Sequence, residues 1–203
     1  MEVLKYILIV VGGYLLGSVS ISIILSRLLG TDVRKKGSGN AGATNMARSY
    51  GLLAGFATLA GDFLKAVIVM AVGWWLCGDW GLMAGGMACT TGHCFPIFYD
   101  FRGGKGISVG AAIGLAIDWR VFVGIIVVFL IVAFLSKKAS LGSVCAAVAL
   151  VILTVVFAAL HLITLPRLLL ALYAAVLAVF QHRANIKRLS EGTEPDFKAA
   201  DGK

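Results

Sequence analysis

Two stretches of this chain, residues 6–26 and 139–160, are long enough to cross a lipid bilayer and carry no charged side chain. A spanning helix needs roughly 20 mainly apolar residues. These runs are apolar all round, not in the stripe that a surface helix of a soluble domain presents. Composition agrees with a membrane setting. Of the 203 residues, 60% are hydrophobic and 14% charged, with a mean hydropathy of +0.95. A soluble domain carries about 25% charged residues, so this chain cannot cover its apolar surface with polar groups.

The apolar runs divide as 3–26, 52–77, 80–98, 107–117, 121–135, 139–160 and 165–181. This pattern predicts an all-α polytopic membrane protein with about seven transmembrane helices. The fourth run is too short to span alone, since 11 residues of helix rise only ~17 Å against a core of ~30 Å. At least one helix is therefore expected to be short or broken, with the fourth run pairing with the fifth. The first run is read as a retained helix. Glu2 and Lys5 make a poor positive leader, and the apolar pattern continues to Leu25.

Lysine and arginine set the expected orientation. An N-terminus outside places Arg27, Arg34, Lys35, Lys36, Arg48, Arg102, Lys105, Lys137, Lys138, Arg183, Lys187, Arg188, Lys198 and Lys203 on the inner side. Only Lys5, Arg120 and Arg167 remain outside, with Lys65 inside a span. The C-terminus is then cytoplasmic. The net charge of +8 thus reflects cations gathered at one membrane face and gives no basis for a nucleic-acid partner. An anionic partner fits better. Cys77, Cys89, Cys94 and Cys145 are scattered without a C-x-x-C pair, so neither a metal site nor another cofactor is expected. No signal for an oligomeric state is present.

Three polar segments fall at the cation-rich face. The first runs from Gly37 through Ser38, Gly39, Asn40, Gly42, Thr44 and Asn45 to Arg48. Its glycines let backbone approach a ligand, and Arg48 offers a planar fork for phosphate oxygens. It leads into a helix expected to start near Tyr50, whose first amides could face an anion. The second runs from Gly92-His93-Cys94 to Gly103-Gly104-Lys105-Gly106. Open amides around one ammonium resemble a phosphate cradle, without the spacing of a Walker A loop. His93 lies inside an apolar run, where a polar side chain needs a partner or a task. The third is residues 182–194, in which helical spacing puts His182, Asn185 and Leu189 on one face with Arg188 beside them. Lys187 and Lys198 suit anionic lipid heads. Asp62 and Lys65, three apart within a span, are close enough to neutralise each other, which favours bracing of the bundle over a role in the site.

The segments GSGNAGATNMAR, GHCFPIFYDFRGGKG and HRANIKRLSEGTE resemble the three motifs of the bacterial acyl-phosphate:glycerol-3-phosphate acyltransferases, the PlsY family. The resemblance covers residues 1–197, taken as one membrane domain, with 198–203 a flexible cytoplasmic tail. It implies transfer of an acyl group from acyl phosphate to the sn-1 hydroxyl of glycerol 3-phosphate, at the cytoplasmic face of the bacterial inner membrane. It implies that Arg48 and Lys105 carry most phosphate binding. Ser38, His182 and Asn185 complete the glycerol 3-phosphate pocket, and Gly39, Gly103, Gly104 and Gly106 admit the acyl phosphate. Asn40, Gly42, Thr44, Asn45 and Arg188 are counted with the substrate-binding set. The H-x-x-x-x-D dyad of thioester-using enzymes is missing, since Phe98 stands where the acid would be. Acyl phosphate is already activated, so its own phosphate oxygen is expected to accept the hydroxyl proton, with His93 or His182 as rival bases. A transporter of anionic solutes would share the glycines and broken helices, but three dissimilar motifs at one face suit an enzyme better.

Overall fold

A computed structural model describes residues 1–198. Among them every regular element is helical: α1 (Glu2–Ser18), α2 (Ile21–Leu28), α3 (Ala43–Tyr50), α4 (Leu52–Cys94), α5 (Ile107–Ile117), α6 (Trp119–Ser136), α7 (Ala139–Ala159), α8 (Leu165–Gln181) and α9 (Arg183–Ser190), with short 3-10 turns at Val33–Lys35 and Ile97–Tyr99. The flexible tail expected from residue 198 onward lies, apart from Lys198, outside the described residues.

Helix covers most of each of the seven apolar runs; the first is broken at Val19–Ser20, and the third ends as helix at Cys94. Four helical stretches are long and apolar enough to cross a membrane on their own: Glu2–Leu28, Leu52–Tyr99, Trp119–Ser136 and Ala139–Ala159. Leu165–Gln181 with Arg183–Ser190 makes a fifth if that bent pair is one span. Within α4 the chain doubles back at Cys77 and Gly78. Gly78 sits at φ 59°, ψ −150°, a region open essentially to glycine alone. The two arms then pack so tightly that a Cβ on Gly73 would lie 2.3 Å from the Gly81 carbonyl oxygen. The 11-residue α5 reverses into α6 at Asp118, whose Oδ1 accepts the Arg120 amide at 2.8 Å. The short fourth run is thus the first arm of a helical hairpin.

Helix α1 lies against the second arm of α4 through small residues. A Cβ on Gly17 would meet Cys89 O at 2.4 Å, and one on Gly92 would meet Tyr14 O at 2.2 Å. In lipid no hydrophobic effect drives helices together, so such backbone approach, with its dispersion contacts, becomes the association force.

The surface is inverted relative to a soluble protein. Leu53, Trp75, Phe134, Leu135 and Val176 are among many exposed large apolar side chains, while Thr58, Asp62, Lys65 and Thr90 are buried. Lys65 Nζ lies 2.7 Å from Asp62 Oδ1 and also donates to the carbonyls of Gly17 at 2.9 Å and Val19 at 2.7 Å. The pair therefore braces α1 against α4, as the sequence favoured, and caps the break between α1 and α2.

The bundle has two unlike ends. At one, Asp79 accepts Thr164 and Arg167, and Arg167 also donates to Ile117 O at 2.8 Å. All four tryptophans, Trp74, Trp75, Trp80 and Trp119, are exposed at this end, as expected of a membrane–water interface. The other end gathers the three polar segments.

Candidate active site

The first polar segment is folded by Asn45. Its side chain is buried, accepts the Ser38 amide at 2.8 Å, and donates to the carbonyls of Val33, Lys36 and Asn40 at 3.0–3.1 Å. Asn45 was expected to serve a ligand, and the structure commits its amide to shaping the loop. The helix expected near Tyr50 is α4, from Leu52; ahead of it a short helix that the sequence did not show, α3, begins at Ala43 inside the motif. Ala-Thr-Asn after glycine reads as loop, yet Gly42 in extended conformation opens α3 here and leaves the first amides of the helix at the cavity. Arg34 then ties this loop to the second one by donating to Tyr99 O at 2.8 Å.

The glycine pair of the second segment also departs from expectation. The amides of Gly103 and Gly104 donate to Cys94 O at 3.2 Å and His93 O at 3.0 Å. These carbonyls belong to the last turn of α4 and lack helical partners. Gly103 and Gly104 thus cap α4 and stay off the cavity wall, as does Gly39, whereas Gly106 lines an apolar groove next door. The consequence of the cap is placement of Lys105, which projects from the capped loop into the cavity.

The third segment does not continue α8 straight. The chain bends by 57° between α8 and α9, with His182 at the break. Its Nδ1 lies 2.7 Å from Ala178 O. Because a carbonyl only accepts, Nδ1 carries the proton and Nε2 is the ring atom left for another partner. Asn185 accepts from Lys105 Nζ and donates to Glu194 Oε1 at 2.6 Å, and Arg188 Nε donates to Glu194 Oε2 at 2.7 Å. Glu194 thereby fixes two site residues at once.

These elements enclose a cavity of about 120 Å³ whose walls include Ser38, Asn40, Gly42, Thr44, Asn45, Arg48, His93, Lys105, His182, Asn185 and Arg188. The sequence had named all of these. It missed Ser108, Ser140, Ser143 and Glu194. The three serines sit within apolar runs, and Glu194 lies in a stretch read for its cations; Ser140 and Ser143, three apart just after Lys137-Lys138, were the available signal. Arg48, Lys105 and Arg188 face the single carboxylate of Glu194, an excess of positive charge suited to a phosphate. Burial pulls the Lys105 ammonium down to about 8; the Arg188 and Arg48 charges add to that, and the Glu194 charge opposes it. Burial pushes the Glu194 carboxyl up, but the donors around it, Ser140, Asn185 and Arg188, with the Arg188 charge, outweigh it and hold it below the usual carboxylate range.

Next to this polar cavity lies an apolar groove of about 370 Å³ between α4, α5, α6, α7 and α8. Leu59, Ile107, Ser108, Phe129 and Ser143 border both spaces, so the two adjoin. His93 sits beneath. Its Nδ1 is 3.3 Å from Lys65 Nζ and 3.6 Å from Asp62 Oδ1.

A family model for glycerol-3-phosphate acyltransferase matches residues 7–192. The chain belongs to the glycerol-3-phosphate acyltransferase family. The glycerol-3-phosphate acyltransferase of Trichlorobacter lovleyi (strain ATCC BAA-1151 / DSM 17278 / SZ) is 38% identical over 94% of this chain and 96% of that protein. That of Thermoanaerobacter pseudethanolicus (strain ATCC 33223 / 39E) is 40% identical over 89% of this chain and 90% of its own length. Among solved structures, PlsY (YgiH), an integral membrane glycerol 3-phosphate acyltransferase, matches in its glycerol 3-phosphate form with a TM-score of 0.87 at 31% identity, covering 95% of this chain and 96% of that one. Its lysophosphatidic acid form matches with a TM-score of 0.85 at the same identity. The family thus joins a small phosphorylated acceptor to an acyl chain, and the present member has a polar cavity beside an apolar groove.

Proposed function

We propose that this acyltransferase moves a fatty acyl group from acyl phosphate to the C1 hydroxyl of glycerol 3-phosphate, giving 1-acylglycerol 3-phosphate and inorganic phosphate. The observation that carries this reading is that a three-cation cavity adjoins an apolar groove along Leu59, Ile107, Ser108, Phe129 and Ser143. An acyl phosphate is a phosphate joined to a hydrocarbon tail, so it fits across that border. Glycerol 3-phosphate then occupies the cavity with Ser38, Arg48, Lys105, His182 and Asn185. Gathering of the cations at the motif end and of the tryptophans at the other supports a site facing the cytoplasm, in the bacterial inner membrane. Residues 1–197 act as one catalytic domain.

In the proposed step the C1 oxygen attacks the acyl carbonyl carbon, the bond from that carbon to the phosphate oxygen breaks, and phosphate leaves. The hydroxyl proton passes to a phosphate oxygen of the donor. Lys105, Arg48 and Arg188 bear the charge that grows on the leaving phosphate, and a fixed cavity supplies orientation. His93 suits the role of base poorly, because Nδ1 is engaged with Lys65 and Nε2 abuts Gly104. His182 keeps Nε2 for holding substrate.

Purified protein in detergent, given acyl phosphate and labelled glycerol 3-phosphate, should yield 1-acylglycerol 3-phosphate and free phosphate. Turnover with acyl-CoA or acyl-carrier-protein thioester and none with acyl phosphate would refute the donor. A His-like limb in the pH–rate profile that vanishes in His182→Ala or His93→Ala would refute the proton route.

A further inference from the structure

Two aromatic rings line the deep end of the apolar groove. Phe63 on α4 and Phe122 on α6 have ring centroids 6.0 Å apart at an interplanar angle of 58°. Both line the groove, and both are half-buried. Leu59 and Phe129 border the polar cavity, so Phe63 lies one helical turn deeper on α4. Phe122 lies seven residues, two turns, deeper on α6.

Beyond the ring pair is a second apolar cavity of about 270 Å³ that no part of the proposed reaction uses. The same face of α4 serves both spaces. Phe56, Leu59 and Ala60 line the groove before Phe63, and Val67, Met70, Ala71 and Trp74 line the second cavity after it, at helical spacing along one stripe. Helix α5 divides the same way, with groove residues ending at Ala111 and cavity residues starting at Ala112. The Phe122 backbone lies level with Gly114, 3.5 Å from where a Cβ would stand there. The rings therefore stand at the end of the groove that is nearer the second cavity.

We propose that the Phe63–Phe122 pair sets the longest acyl chain the enzyme accepts, by stopping the groove short of the second cavity. This rests on the groove holding the acyl chain of the donor. A chain that reaches the rings gains burial for each methylene. A longer chain must displace the rings or bend back toward the headgroups. With the rings removed, the second cavity becomes an extension of the groove.

The test uses a graded series of saturated acyl phosphates, medium to very long, with wild type, Phe63→Leu, Phe122→Leu and the double variant Phe63→Ala/Phe122→Ala. The double variant should raise the ratio of kcat/KM for very long over medium chains by at least about tenfold, the worth of two further buried methylenes. The leucine variants should shift it in the same direction by less, and they serve if the alanine pair fails to fold. Ala116→Phe, placed on the double variant to refill the second cavity, should restore the wild-type ratio. An unchanged length profile in the folded variants overturns the proposal. If wild type uses no acyl phosphate of any length, the proposed donor is wrong, and the same series as thioesters still reads the ring pair.

Discussion

Gly104 abuts the Nε2 edge of the His93 ring: an added Cβ would stand 2.2 Å from His93 Nε2 and 3.0 Å from Ala41 O. The opposite edge of the ring is held by Lys65 and Asp62 at 3.3 and 3.6 Å, so it has little room to retreat. Gly104→Ala should therefore displace the loop that carries Lys105. A fall of about tenfold or more in kcat/KM is expected, roughly 1.4 kcal/mol or more of transition-state binding. Gly12→Ala, whose Cβ would meet nothing within 4 Å, should leave activity unchanged. Equal kinetics for the two variants would sink this account.

Lys105 gives a pH dependence with a definite sign. Its ammonium is held down to about 8, and a phosphate dianion binds the protonated form. KM for glycerol 3-phosphate should be flat below that point and rise above it, by up to about tenfold per pH unit. Lys105→Arg keeps its charge throughout and should flatten the rise, whatever it does to the absolute rate. Steady-state KM from about pH 6.5 to 9.5 reads both outcomes.

Glu194 clamps Asn185 and Arg188 at 2.6 and 2.7 Å. Glu194→Ala leaves both donors without their acceptor and should cost about 1–3 kcal/mol, seen as a lower midpoint of thermal unfolding. The carboxyl is held below its usual range. Its stabilisation is thus present above the unfolded-state pKa and lost as pH falls through the lowered folded value. Glu194→Gln should remove that acid-side loss; an unaltered acid limb would contradict the assignment.

Breaking the buried ion pair should be worse than deleting it. Asp62→Ala strands the Lys65 ammonium inside the bundle, at a cost of about 3–5 kcal/mol. Asp62→Ala/Lys65→Met removes the stranded charge and should regain part of that loss, though not the caps on Gly17 and Val19. Melting curves in detergent decide. A double variant less stable than Asp62→Ala would mean that Lys65 matters more as a cap than as a partner.

Much of the architecture was legible because each run from 3–26 to 165–181 is apolar enough to declare itself without reference to its neighbours. The return of α4 at Cys77–Gly78 falls where the second run ends, at the gap before the third. Local chemistry misled where one residue type serves two ends. Glycines at 103 and 104 read as a phosphate cradle, and their amides cap α4, because an open amide suits an anion and an orphan carbonyl equally. Asn45 looked like a ligand donor and holds its own loop. Ser108, Ser140 and Ser143 were hidden by the apolar runs that carry them, since only tertiary packing turns those faces toward the cavity.

The Glu194 clamp has a consequence in time. Residue 194 follows every apolar helix in the sequence, so the ribosome delivers it only after all the segments that wall the cavity have been made. Until then Asn185 and Arg188 have no carboxylate to seat them. A chain caught before that point lacks the clamp, and the pocket is completed only once residue 194 has followed the last apolar helix.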